Sequence, residues 1–156
     1  MIEVKCGTIL VAHPQLPDAD FRHAVILIMR HEREGTFGFN VAVKPLEGTC
    51  LHRSGPLELH TPLRLHKNDV SATASEVIDD TGYSFCAVHS LAECLETREG
   101  TMVLVGYAGW GQGQLAWEMA AGAWIPTTTS LEAILTAQPE ERWKIAAAGA
   151  GITVGD

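Results

Sequence analysis

The stretch Gly106-Tyr107-Ala108-Gly109-Trp110-Gly111-Gln112-Gly113-Gln114-Leu115 constrains the fold more than any other part of the chain. It follows an apolar, strand-like segment, Met102 to Val105. It leads into Leu115 to Ala121, a segment of helical character that stops at Gly122. Four glycines in eight residues, with Tyr107 and Trp110 between them, predict a tight, aromatic-lined turn at a strand-to-helix junction. Such a turn leaves free backbone N–H groups at the positive end of a helix, where anions dock. Tyr107, Gly109, Trp110, Gly111, Gly113, Gln114 and Glu118 are therefore the candidate ligand-binding residues. Gln114 and Glu118 share one helix face, being four residues apart. Two readings stand at this point: a pocket lined by these groups, or a turn that only shapes the backbone. Trp117 and Trp124 are expected in the core, and Trp110 at a surface or pocket rim.

The rest of the chain reads as short strands followed by helices. Thr8 to Ala12 is a strand that must end at His13-Pro14, because Pro14 lacks a donor and restricts the residue before it. His23 to Arg30 and Thr36 to Val43 form a hairpin across Glu32-Arg33-Glu34-Gly35. Lys44 to Pro56 reads as a loop; Leu57–His60, Leu63–His66, Tyr83–His89 and Thr101–Val105 read as strands. Ser90 to Glu96 has room for one or two helical turns. Beyond Gly122, Trp124 to Thr127 returns as a strand. Thr129 to Glu132 has capping-box spacing, and Pro139 opens a last helix with two acids in its first turn. Strands first and helices late define an α+β domain rather than alternating βαβ units. With 156 residues and no linker or repeat, one domain spanning 1–156 is expected.

Five blocks, in order, resemble the YqgE/AlgH family, also called UPF0301. They are Ala12-x-Pro14-x-Leu16-x-Asp18-x-x-Phe21; His31 with Gly35-x-x-Gly38; Gly55-Pro56 with Leu65-His66; Gly106 to Leu115 with Glu118, Gly122 and Trp124; and Pro139-Glu140-Glu141-Arg142-Trp143. The departures cluster in the middle loop, where Ala42-Val43-Lys44-Pro45 lacks the family's usual Asn and Asn40 sits earlier. The resemblance implies a compact α+β fold whose sheet curls toward a barrel; with the strand and helix order read above, a mainly antiparallel sheet with helices mostly in the C-terminal third is expected. The family's function is itself unsettled. Its AlgH name evokes transcriptional control.

Composition narrows the function classes. A net charge of −8 opposes a phosphate backbone, so direct nucleic-acid binding is not expected. No apolar run reaches the ~18 residues of a membrane span, and the N-terminus has no signal-peptide pattern, so a cytoplasmic location is expected. Four cysteines without CxxC spacing read as reduced thiols. The seven histidines show no HExxH pattern, and Cys86 and His89 would point to opposite strand faces, so no metal is assigned. Gly111-x-Gly113-x-x-Ala116 matches dinucleotide-fingerprint spacing, but no further βαβ unit follows, so no cofactor is assigned either. Ser54 is the loop serine with a nucleophile's setting, without a GxSxG elbow or an assignable partner. The reading is a regulatory or adaptor-like domain that binds a small anionic ligand or a protein partner. A hydrolase or transferase using the same cleft, and indirect transcriptional control through a partner, are the alternatives.

Overall fold

The computed structural model describes residues 3–68, 76–78, 80–90, 92–93 and 100–153. Its strands are β1 (Ile9–Ala12), β2 (Val25–Glu32), β3 (Gly35–Asn40), β4 (Leu51–Arg53), β5 (Leu57–Lys67), β6 (Glu76–Ile78), β7 (Tyr83–Ala87), β8 (Met102–Gly111) and β9 (Trp124–Pro126). Three helices follow the last long strand: α1 (Gln114–Ala120), α2 (Leu131–Leu135) and α3 (Pro139–Gly149). The strands form one curled sheet in the order β6-β7-β5-β8-β3-β2-β1-β9. Pairing is antiparallel throughout, except that β4 lies parallel to β8. The expected α+β class, the curl and the late helices are all present. The helical turns expected over Ser90–Glu96 fall largely outside the described residues.

The middle strands have no polar face because both faces are covered. Successive side chains on a strand point to opposite sides. Ile9, Val11, Val25, Leu27 and Met29 enter a core closed by Leu131, Ile134 and Trp143 of α2 and α3. Leu10, Ala12, Ile26 and Ile28 enter a second core with Trp110, Leu115 and Trp124, against which Leu16 and Phe21 pack. Each such aliphatic side chain contributes roughly 1.5–3 kcal/mol on full burial. The continuous apolar runs in the sequence are the record of this double covering.

Several boundaries differ from expectation for physical reasons. β3 stops at Asn40, not Val43, because the Asn40 amide oxygen accepts hydrogen bonds from Val25 N–H (3.2 Å) and Ala42 N–H (3.0 Å). The side chain thus takes over donors that a longer ladder would use. The two strands expected around Thr61-Pro62 are one, β5, whose register against β8 shifts between Glu58 and Leu63. Pro62 sits in that irregular stretch, where a missing donor is tolerated. The N-cap of α2 is Ser130, whose hydroxyl accepts from Ala133 N–H; Thr129 instead donates its hydroxyl to the Ile145 carbonyl. Pro139 does open α3, with Glu140 and Glu141 in its first turn.

Candidate functional site

The glycine segment is mostly strand. β8 continues through Gly111, pairing Gly109 with Phe37 and Trp110 with Thr36, and only Gln112 and Gly113 form the turn. Gly113 is the helix N-cap at φ 75°, a left-handed conformation that glycine takes without strain. Strand parity then divides the seven residues named from the sequence. Tyr107 packs edge-on against Phe37 at 5.8 Å on the α2–α3 side of the sheet, and a Cβ on Gly109 would meet Leu57 and Tyr107. Trp110 lies on the other side, in the second core.

There Glu118 gathers the other residues. Its Oε1 accepts from the indole N–H groups of Trp110 (3.2 Å) and Trp124 (2.9 Å), and its Oε2 from the Gln114 amide (2.9 Å). Gln114 in turn accepts the Gly111 backbone N–H at 3.0 Å. The aromatic expectations are partly reversed. Trp110 is 5% exposed and Trp124 2%, whereas Trp117 is 73% exposed. Trp110 stacks with Phe21 at 6.3 Å and meets Trp124 edge-on at 5.6 Å, so it is a core residue and not a rim. Trp117 points outward because Leu115 and Met119 take the buried side of a helix of 3.6 residues per turn.

A different part of the surface holds a cleft of about 830 Å³, between the β1–β2 connection, the end of β3 and the first turns of α3. That volume is within the ~300–1,000 Å³ range of small-molecule sites. Pro14, Ala42, Val43 and Pro139 give it apolar walls, and the rings of His23 and Trp143 stand together at 4.5 Å within it. Trp143 is fixed from behind, its indole N–H donating to the Ala12 carbonyl at 2.9 Å. His23 has φ 56°, a left-handed backbone that costs a non-glycine residue ~1–2 kcal/mol. Strained backbone of this kind concentrates at functional sites. Asp20, Arg22, Glu140 and Lys144 also border the opening, and all four are solvent-exposed.

Behind β3 and β4 lies a buried polar layer. Arg142 donates to the carbonyls of Ala137, Val41 and Leu135, which locks α3 to the sheet and to the turn after α2. His52 is 8% exposed with no hydrogen-bond partner for Nδ1. Burial, reinforced by the nearby Arg142 charge, holds its imidazole below the ordinary 6.5, partly offset by hydrogen bonds with the Val103 and Cys50 backbone. Ser54, the candidate nucleophile, is fully buried and its hydroxyl is unpartnered. Among the described residues no three His, Cys, Asp or Glu side chains gather as a metal cluster.

No local pattern pointed to the cleft, because its walls come from opposite ends of the chain. A signal was nevertheless present. Two of the five family-like blocks, Ala12 to Phe21 and Pro139 to Trp143, fold against each other to build it.

A curled, mainly antiparallel sheet covered on both faces, with helices mostly late in the chain, defines an α+β fold. The chain belongs to the AlgH-like family, whose model matches residues 9–155. It is 30% identical over 166 residues to a UPF0301 protein of Alcanivorax borkumensis, covering 92% of this chain and 88% of that one. A UPF0301 protein of Chlorobaculum tepidum is 32% identical over 161 residues, covering 90% and 83%. Among solved structures, protein DIP2367 of Corynebacterium diphtheriae superposes with TM-score 0.73 at 24% identity, covering 91% of this chain and 85% of that one. The Pseudomonas aeruginosa AlgH solution structure gives TM-score 0.71 at 21% identity, covering 98% and 94%. At these identities the two structures speak for the fold alone. No helix among the described residues is long and apolar enough to cross a membrane.

Proposed function

We propose that this chain is a cytoplasmic regulatory or adaptor-like domain that binds a small anion-bearing metabolite in the cleft between the β1–β2 connection and α3, and that occupancy is read by a protein partner. The observation that carries this reading is the roughly 830 Å³ opening, where a strained His23 stands against a rigidly held Trp143. Arg22 and Lys144 at its border supply the positive charge for the anionic group. The Gly106–Leu115 segment is less well suited as the anion site. Its Gly111 N–H is already bonded to Gln114, and the Glu118 carboxylate stands beside it. A hydrolase or transferase role through Ser54 has less support, since that hydroxyl is fully buried. Direct transcriptional control is disfavoured by the net charge of −8.

Thermal shift of the full chain with citrate, inorganic phosphate and 3-phenylpropionate tests the assignment. At least one probe should raise Tm in the wild type and in Gln114→Ala. The Arg22→Ala/Lys144→Ala double variant, altered only at exposed positions, should keep its ligand-free Tm and lose the rise. A rise that survives the double variant but vanishes in Gln114→Ala would return the site to the glycine segment. No rise with any probe would count against the ligand reading altogether.

A further inference from the structure

The charges around the cleft are balanced in number and make no ion pair among the described residues, although Glu140 also acts on the buried Arg142 guanidinium. Arg22 and Lys144 face the same opening as Asp20 and Glu140. Ion pairs among the described residues join Lys5 to Asp80, Arg30 to Glu32 and Lys67 to Glu132; none of the four cleft charges takes part. A pure anion would meet Arg22 and Lys144 but also the two carboxylates, whose repulsion cancels much of the gain. A pure cation meets the reverse difficulty. A ligand with one group of each sign satisfies both pairs. The walls add a second requirement, because Pro14, Pro139, Ala42 and Val43 offer apolar contact and the His23–Trp143 pair offers aromatic edges and faces.

Resting on the cleft assignment above, we infer that the ligand is a zwitterion with an apolar or aromatic body, of the amino-acid or short-peptide class. The carboxylate goes to Arg22 and Lys144, the ammonium to Asp20 and Glu140, and the body against the Trp143 side. Two charges held at separate points also fix the ligand's orientation, which a single ion pair at an exposed site does not.

Three probes on one skeleton separate the possibilities: L-phenylalanine, 3-phenylpropionate, which lacks the amine, and phenethylamine, which lacks the carboxylate. Each is titrated at millimolar concentration into ¹⁵N-labelled full-length protein, following the Trp143 indole and His23 resonances. L-Phenylalanine should bind about tenfold more tightly than either single-charge probe, equivalent to about 1.4 kcal/mol. Asp20→Asn/Glu140→Gln should reduce L-phenylalanine to the level of 3-phenylpropionate. Arg22→Gln/Lys144→Gln should reduce it to that of phenethylamine. If 3-phenylpropionate binds as well as or better than L-phenylalanine at these resonances, the zwitterion inference fails while the anion cleft survives. If phenethylamine alone binds, both assignments of charge fail. If none of the three moves these resonances, the zwitterion inference is overturned, and a Tm rise with citrate or phosphate still decides the cleft separately.

Discussion

Replacing Glu118 by Ala should destabilise the protein far more than its place on a short, half-exposed helix implies. The carboxylate is the acceptor for two indole N–H groups, on Trp110 and Trp124, whose side chains are 5% and 2% exposed. A buried donor left without an acceptor costs ~1–3 kcal/mol. Two of them, moderated by water reaching the space the side chain vacates, give about 3 kcal/mol. For a domain of this size each kcal/mol lowers Tm by about 2–4 °C, so Tm should fall by about 6–12 °C. Glu118→Gln keeps one acceptor oxygen for the indoles and should cost only about 1 kcal/mol. Trp117→Ala, at a 73% exposed position on the same helix, should stay within about 0.5 kcal/mol of wild type. Urea unfolding followed by far-UV circular dichroism reads all three without relying on the tryptophans. A loss below about 1 kcal/mol in Glu118→Ala would refute the reasoning, because the indoles would then have another acceptor.

Three further outcomes follow from the same geometry. His52 is held below 6.5 mainly by burial, so above that pH folded and unfolded chains bind equal protons there. As pH falls through 6.5 the unfolded chain gains the proton first, so stability declines; His52→Gln should flatten this part of the urea-midpoint profile, and an unchanged slope would contradict it. Gly55→Ala should prevent native folding or shift the β4–β5 connection, since a Cβ there would lie 2.0 Å from the Tyr107 carbonyl carbon; an unaltered HSQC spectrum would disprove that close approach. Purified protein should not shift a duplex DNA fragment at physiological salt, and a salt-sensitive shift at micromolar protein would overturn the argument from a net charge of −8.

Much of the sheet was legible because its strands announce themselves in apolar runs such as Val25 to Met29, buried on both faces. β4 was not, since a three-residue strand carrying His52 and Arg53 has no pattern of its own and exists through pairing with β8. The glycine segment misled for a related reason. Clustered glycines read as a turn, yet most of them lie in β8. There a Cβ on Gly106 would come within 2.6 Å of the Gly55 carbonyl oxygen and one on Gly109 within 3.1 Å of Leu57. On the neighbouring strand Gly38 stands opposite Ala108. A Cβ on Gly38 would press to 2.4 Å from the Leu27 carbonyl oxygen. Reading Gly106 to Gly111 as turn also lost the strand parity that sends Trp110 inward, and helical phase alone turns Trp117 out. Of the proposed site, Trp110, Gly111, Gln114 and Glu118 do come together, by hydrogen bonds that the i, i+4 spacing of Gln114 and Glu118 foreshadowed. The cleft had no comparable local spacing. Its meeting of His23 with Trp143 is a tertiary event, set by Trp143 bonding to the Ala12 carbonyl and by Arg142 locking α3 to the sheet.

The measurement closest to the central claim is an intermolecular NOE map of the full chain with bound 3-phenylpropionate. The account predicts contacts from the phenyl protons to the Trp143 indole, the His23 imidazole and the Val43 methyls, all at the cleft. Contacts to Trp110, Gln114 or the exposed Trp117 instead would contradict it, and would place ligand binding at the glycine segment and its helix.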